Sequence, residues 1–324
     1  MVIKMKAVVY QKYGGPEVLE IIEVEKPNPQ PGEVIVKVGA SGINPVDTYF
    51  RSGIRPVDHF PYIPHFDLGG SIVDVGENVT KWKVGDRVWG TNIKGTAAEY
   101  VSVPEEKLFP LASHLSEEDG AALSMAFMTA YLALFDRAQL KRGETVLIYG
   151  AAGAVGNAAV QLAKQHGANV IATASSPEKA KIASDAGADE VILYTETNVV
   201  DAVKERTDNQ GVPVILDMSL SENMETDFEV LSNGGRIVAI GSPKNNTPTL
   251  PWRLLNMKNA ALLGVLLFTT PSEQLINAGE NISNLFAEKK LFTHIAKVFD
   301  FKEASEAHVA LESKKYNGNI LIKP

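Results

Sequence analysis

The apolar stretch Val146-Leu147-Ile148-Tyr149 runs without a break into Gly150-Ala151-Ala152-Gly153-Ala154-Val155-Gly156, and then into a helical pattern reaching about Gln165. A strand that turns into a helix through such small residues leaves few folds open. The turn presents backbone N–H groups at a helix start, and only residues without a bulky side chain let an anion approach them. Gly153 is the close-approach position and Gly156 lets the helix sit tightly on the strand, while Ala151 stands where the usual fingerprint has its first glycine. Candidate contacts to a diphosphate are therefore Ala152, Gly153, Ala154, Val155 and Gly156. A tight turn with no ligand is the alternative, and the context weighs against it. Val146–Tyr149, Val170–Thr173, Val191–Leu193, Val214–Leu216, Arg236–Ile240 and Ala261–Leu267 all read as strands with helical segments between them. Strands joined by crossovers in this way make two βαβαβ halves, a doubly wound six-stranded parallel sheet of the kind that binds dinucleotides.

The end of the second strand discriminates between cofactors. A carboxylate about 20 residues past the glycines accepts from the ribose hydroxyls of NAD. Here the segment reads Thr173-Ala174-Ser175-Ser176-Pro177-Glu178-Lys179, with Ser175 at the place of the acid. Ser176 is suited to cap the next helix and Pro177 to take its first position. Lys179 then falls in the first helical turn, where a cation is disfavoured by roughly 0.3–1 kcal/mol. An anion such as a 2′-phosphate would relieve that cost, so Ser175, Ser176 and Lys179 point to NADPH. A solvated surface lysine is the bland alternative.

Up to about residue 115 the texture is that of a compact β-rich domain. Val34, Val36 and Val38 alternate with Ile35 and Lys37, and turns recur at Pro31-Gly32, Gly69-Gly70 and Gly85-Asp86. Ser116 with Glu117, Glu118 and Asp119 then starts a buried helix over Ala121 to Phe135 that links this domain to the next. After the sixth strand a helix near Lys302–Ser313 and a strand near Asn319–Ile322 are expected to pack back on the first domain. The boundaries are 1–124 plus 268–324 for the β-rich domain and 125–267 for the dinucleotide domain. The sequence contains no cysteine, which removes disulfides, a thiol nucleophile and thiolate zinc sites. A net charge of −8 argues against a nucleic-acid partner. No apolar run reaches the roughly 20 residues of a membrane span, and a cytoplasmic protein is expected.

Ser41-Gly42-Ile43-Asn44-Pro45-Val46-Asp47-Thr48-Tyr49-Phe50-Arg51-Ser52-Gly53, together with the glycine turn, closely resembles the quinone oxidoreductases of the zeta-crystallin type. These are zinc-free members of the medium-chain dehydrogenase/reductase superfamily. Tyr13-Gly14-Gly15-Pro16-Glu17-Val18-Leu19, Val84-Gly85-Asp86-Arg87-Val88 and Gly318-Asn319-Ile320-Leu321-Ile322 are similar to theirs as well. The resemblance implies a GroES-like catalytic domain, formed by both chain ends, with the Rossmann domain inserted into it. It places Asn44 and Tyr49 on the nicotinamide and substrate, and Thr129 near the nicotinamide end of the cofactor. It makes Ser175, Lys179 and Tyr194 the 2′-phosphate site, with Lys314 as a further cation. Gly241, Ser242, Val265 and Leu267 belong to its nicotinamide-side loops. Zinc relatives have ligands at the positions of Asn44 and Phe66, neither of which suits zinc, so no metal is expected. Relatives often carry an aromatic where Arg55 stands and a glycine where His65 stands. Both fall near the expected cleft, which points to an acceptor other than a plain small quinone. A homodimer is expected by the same analogy.

Hydride addition to a plain ketone leaves a localised alkoxide that needs a Lewis acid or a positioned donor. A quinone gives a delocalised anion, and an enal, enone or enoyl thioester gives an enolate. Positioning and one modest hydrogen bond from Tyr49 or Asn44 suffice for either. The expected activity is NADPH-dependent reduction of a quinone with solvent supplying the proton. The alternatives are reduction of activated C=C bonds and, from another class, a cofactor-binding structural or RNA-binding role.

Overall fold

The computed structural model describes residues 3–324. In chain order its elements are β1 (Lys4–Val9), β2 (Glu20–Glu25), β3 (Glu33–Ile43), α1 (Pro45–Arg51), β4 (Asp67–Val75), β5 (Arg87–Gly90), β6 (Tyr100–Pro104), β7 (Leu108–Pro110) and α2 (Glu117–Tyr131). The central part continues with β8 (Thr145–Ile148), α3 (Ala154–His166), β9 (Asn169–Ala174), α4 (Pro177–Asp185), β10 (Glu190–Leu193), α5 (Val199–Arg206), β11 (Val212–Asp217), α6 (Leu220–Val230), β12 (Leu231–Ala239), α7 (Trp252–Met257) and β13 (Ala261–Gly264). The last elements are α8 (Ser272–Ala287), β14 (Ile295–Asp300), α9 (Ala304–Glu312) and β15 (Asn319–Lys323). The chain divides into two compact units, Met1–Met125 with Gly279–Pro324, and Ala126–Ala278. No helix among the described residues is long and apolar enough to cross a membrane.

The first unit is built on antiparallel strands. β3 is its centre, paired with β4 on one side and with β6 and β15 on the other. The sheet runs β14-β15-β3-β4-β5-β7, so the C-terminal strands complete a sheet begun by the N-terminal ones. The alternation at Val34, Val36 and Val38 has its cause here, because these side chains share a core with Leu68, Ile72, Val88 and Val103. A second cluster joins Val8 and Ile43 to Phe299, Phe301, Ala307 and Ile322.

The second unit is the parallel sheet, ordered β10-β9-β8-β11-β12-β13. The order reverses between β8 and β11, the topological switch point beside which dinucleotides bind in such sheets. Leu147, Ile171, Ile192, Ile215 and Ile237 from successive strands share one core with Phe228 and Met224 of α6. The helix starts follow their local chemistry. Ser116 and Asp119 exchange hydrogen bonds ahead of α2, and Ser176 Oγ accepts from Lys179 N at 3.3 Å with Pro177 in the first position of α4.

Two expectations need correction and a third, the linking helix, gains detail. The sixth strand ends at Gly264 and not Leu267, because its only neighbour β12 stops where Ala239 pairs with Gly264; Leu267–Thr269 is a 3-10 turn. The linking helix is α-helical through Tyr131 and widens over Leu132–Arg137, with Ala138 N bonding back to Ala133 O. The returning segment joins the first unit at Gly279 rather than 268. There α8 meets Phe109 so closely that a Cβ on Gly279 would lie 2.2 Å from the ring, and Ser283 accepts from Trp89 Nε1.

Candidate functional site

In the second unit the glycine turn is assembled as its sequence demands. Gly150 has φ +63°, and its carbonyl accepts from Gly153 N at 2.9 Å. A Cβ on Gly156 would lie 2.2 Å from that same carbonyl oxygen, so only glycine fits. Gly153 caps α3, and the first bond back into it comes from Asn157 N. The N–H groups of Ala154, Val155 and Gly156 therefore lie in the first turn without intrahelical acceptors. Thr173 Oγ1 and Ser221 Oγ are buried without a hydrogen-bond partner at or just past the C-terminal ends of β9 and β11. Orphaned polar atoms at that end of a doubly wound sheet, beside a cradle that a Cβ would fill, fit a dinucleotide.

Ser175, Ser176, Lys179 and Tyr194 come together at the ends of β9 and β10. Lys179 Nζ donates to Ser175 Oγ at 2.9 Å, and no carboxylate pairs with it among the described residues. Tyr194 N donates to Ala174 O, and its ring is exposed. Gly241 and Ser242 follow β12 and are bound to the start of α6. Gly241 O accepts from Leu220 N, and Ser242 Oγ accepts from Ser221 N. Val265 lines a cavity of about 240 Å³ with Asp136, Arg137 and Gln274, while Leu267 is buried. Thr129 is buried on α2. Lys314 lies in the first unit, exposed in the turn after α9 with φ +53°.

In the first unit Asn44 caps α1 and is half-buried, with Tyr49 on the same helix. Asn44 Nδ2 donates to Asp67 Oδ2 at 2.7 Å, Thr91 Oγ1 donates to Asp67 Oδ1 at 2.6 Å, and Met125 N reaches Oδ2 at 3.3 Å. Burial nonetheless pushes Asp67 up to about 7. Asp47, buried one turn into α1, accepts from Asn44 N at 2.6 Å and is also raised by burial. Phe66 packs against Phe50 with ring centroids 5.3 Å apart. An amide committed to a carboxylate and a phenyl ring do not fit a catalytic zinc, and no group of three His, Asp or Glu among the described residues offers one elsewhere. His65, expected near the cleft, is fully buried and bonded to Ser41 and His308, so it touches no substrate.

Sequence reading missed two buried acids, Asp217 and Asp227, and the partners of a third, Asp67. Asp67 carries no local pattern that reveals its partner Asn44, 23 positions away. Asp217 and Asp227 are wholly buried on β11 and α6, where Asp227 faces Asp217 and the Tyr149 hydroxyl. Burial, with the Asp217 charge beside it, raises Asp227 to about 9. A polar residue on an otherwise apolar helix face was the available signal.

A parallel sheet with this strand order, a glycine cradle and an antiparallel domain closed by both chain ends define a medium-chain dehydrogenase/reductase. Residues 30–113 match the alcohol dehydrogenase GroES-like domain, and residues 154–284 match the zinc-binding dehydrogenase family. Quinone oxidoreductase of Sus scrofa is 36% identical over 326 residues, covering 98% of this chain and 97% of that one. The crystal structure of Escherichia coli quinone oxidoreductase complexed with NADPH superposes with a TM-score of 0.89 at 31% identity, over 98% of this chain and 100% of that one. An NAD-dependent alcohol dehydrogenase reaches a TM-score of 0.92 at 30% identity over 99% of this chain and 100% of that one, so the fold alone does not choose the cofactor. The chain belongs to the quinone oxidoreductase family of the medium-chain dehydrogenase/reductase superfamily.

Proposed function

We propose that the protein is an NADPH-dependent reductase of quinones that works without a metal. The observation that carries the cofactor is Lys179, held on Ser175 at the end of the second strand where a carboxylate would read NAD. The first-turn N–H groups of Ala154, Val155 and Gly156, with Ala152 and Gly153, would hold the diphosphate. Ser175, Ser176, Lys179 and Tyr194 would hold the 2′-phosphate, and Thr129, Gly241, Ser242, Val265 and Leu267 the nicotinamide end. Bound NADPH supplies a hydride.

The chain's own residues position the acceptor. Asp67 fixes which end of the Asn44 amide faces outward, since a carboxylate accepts and the amide N–H must turn to it. The Tyr49 hydroxyl supplies one hydrogen bond to an acceptor oxygen that gains charge. In a quinone that charge spreads over the ring, so one neutral donor and good alignment suffice. Solvent supplies the proton. Similarity to quinone oxidoreductases supports this acceptor class over C=C bonds. NADPH oxidation measured against parallel panels of quinones and enones tests it. Preference for the enones would replace the quinone reading, and failure with both would end it.

We also propose a homodimer. β13 is one of the two unpaired edges of the parallel sheet, and Trp252, Leu254, Met257 and Leu266 close to it in sequence are exposed apolar side chains, which favours this edge over β10. Light scattering should give twice the chain mass for the wild type and a lower mass for Met257→Glu. A monomeric wild type would refute the assignment.

A further inference from the structure

The helix that carries the candidate substrate residues is only seven residues long, too short to hold its own shape. Its N-terminal end is tied down by Asn44, Asp47 and Asp67. Its C-terminal end is tied down by a buried chain of polar groups that no part of the proposed reaction uses. Arg51, in the last turn of α1, donates to Gly14 O at 3.2 Å, to His308 Nδ1 at 2.8 Å and to Glu312 Oε1 at 2.5 Å. His308 Nε2 lies 2.9 Å from His65 Nε2, with the rings within 19° of parallel. His65 Nδ1 lies 3.2 Å from Ser41 Oγ, which lies 2.9 Å from Thr96 Oγ1. Arg51, His308, His65, Ser41 and Thr96 are all buried.

The arginine gives this chain one direction. A guanidinium only donates, so His308 Nδ1 must accept. A neutral His308 then carries its proton on Nε2 and donates to His65 Nε2. His65 in turn carries its proton on Nδ1 and donates to Ser41, whose hydroxyl donates to Thr96. Any added proton on His308 would face Arg51 across 2.8 Å. Burial, with His65 and Arg51 alongside, accordingly holds His308 well below the usual imidazole range, and burial takes His65 down to about 3. A buried guanidinium is tolerated only when its acceptors are all in place, so the chain is satisfied in one geometry of α1 against α9 and in no other.

We propose that Arg51 and His308 are positioning residues, which lock α1 to α9 and thereby hold Tyr49 and Asn44 at their working positions. The kinetic part rests on the function proposed above, and the tautomers do not. Nitrogen-15 imidazole spectra of the wild type should show His308 as the Nε2–H tautomer and His65 as the Nδ1–H tautomer, both neutral across roughly pH 5–8. His308→Leu should lower kcat for quinone reduction by about tenfold or more, leaving the KM for NADPH within about twofold, because misplacing a positioned group affects turnover before dinucleotide binding. His308→Gln, which keeps one acceptor for Arg51 and one donor for His65, should recover most of that loss. Reversed tautomers, a charged imidazole, wild-type kcat in His308→Leu, or equal damage by Leu and Gln would each overturn the proposal. A wild type that reduces no acceptor sinks the functional reading instead, and the spectra then decide the hydrogen-bond chain by themselves.

Discussion

Asn44 gives its side-chain N–H to Asp67 across 2.7 Å, and that carboxyl is buried with its ionisation pushed up to about 7. Below that pH Asp67 can donate as well as accept, so it no longer fixes which end of the amide turns toward it. The rate constant kcat/KM for the acceptor should therefore rise through an inflection near 7 as pH increases. Asp67→Asn, which cannot ionise, should flatten the profile. An unchanged inflection in the variant would assign it to another group.

In the proposed function Lys179 is the charge on which cofactor choice turns. It pairs with a serine hydroxyl and with no carboxylate among the described residues. A charge-assisted hydrogen bond contributes about 1.5–3 kcal/mol, so Lys179→Ala should raise the KM for NADPH by about 10–100-fold. NADH kinetics should move by less than about twofold. Equal effects on both nucleotides would remove the 2′-phosphate assignment.

Gly156→Ala places a methyl 2.2 Å from the Gly150 carbonyl oxygen, a backbone atom that cannot swing aside. Overpacking of this kind costs about 1–3 kcal/mol. Thermal melting should fall by several degrees, and dinucleotide affinity by calorimetry should fall with it. A variant with wild-type melting and affinity would show that the turn has more room than its geometry implies.

Asp227 titrates at about 9 in the folded chain, far above the ordinary carboxyl value near 4 of an unfolded one. The folded state thus holds a proton that the unfolded state releases, and the stability this group contributes is complete below about pH 4 and lost as pH rises towards 9. Asp227→Asn keeps the shape and removes the titration. Urea midpoints should be similar for the two proteins near pH 4 and higher for the variant at pH 8. A variant less stable than wild type at pH 8 would mean that the acid is ionised in the fold.

The sheet, its helix starts and the glycine cradle were legible because each is written within a few neighbouring residues. Alternation fixes a strand, Ser176-Pro177 fixes a helix start, and the absence of a side chain at Gly156 admits a backbone atom. Even there tertiary pairing set the limits, since the sixth strand stops at Gly264 only because Ala239 is the last residue beside it. What no local pattern contained is which polar groups meet inside the fold. His65 and His308 are 243 positions apart, and Asp67 meets Asn44, Thr91 and Met125 from three different segments. The glycine turn could be read from the residues alone, because close approach to backbone depends on side-chain size. Which carboxyls keep their protons and which way the buried imidazoles donate came only with folding, because both depend on burial and on partners brought into hydrogen-bond reach from distant segments.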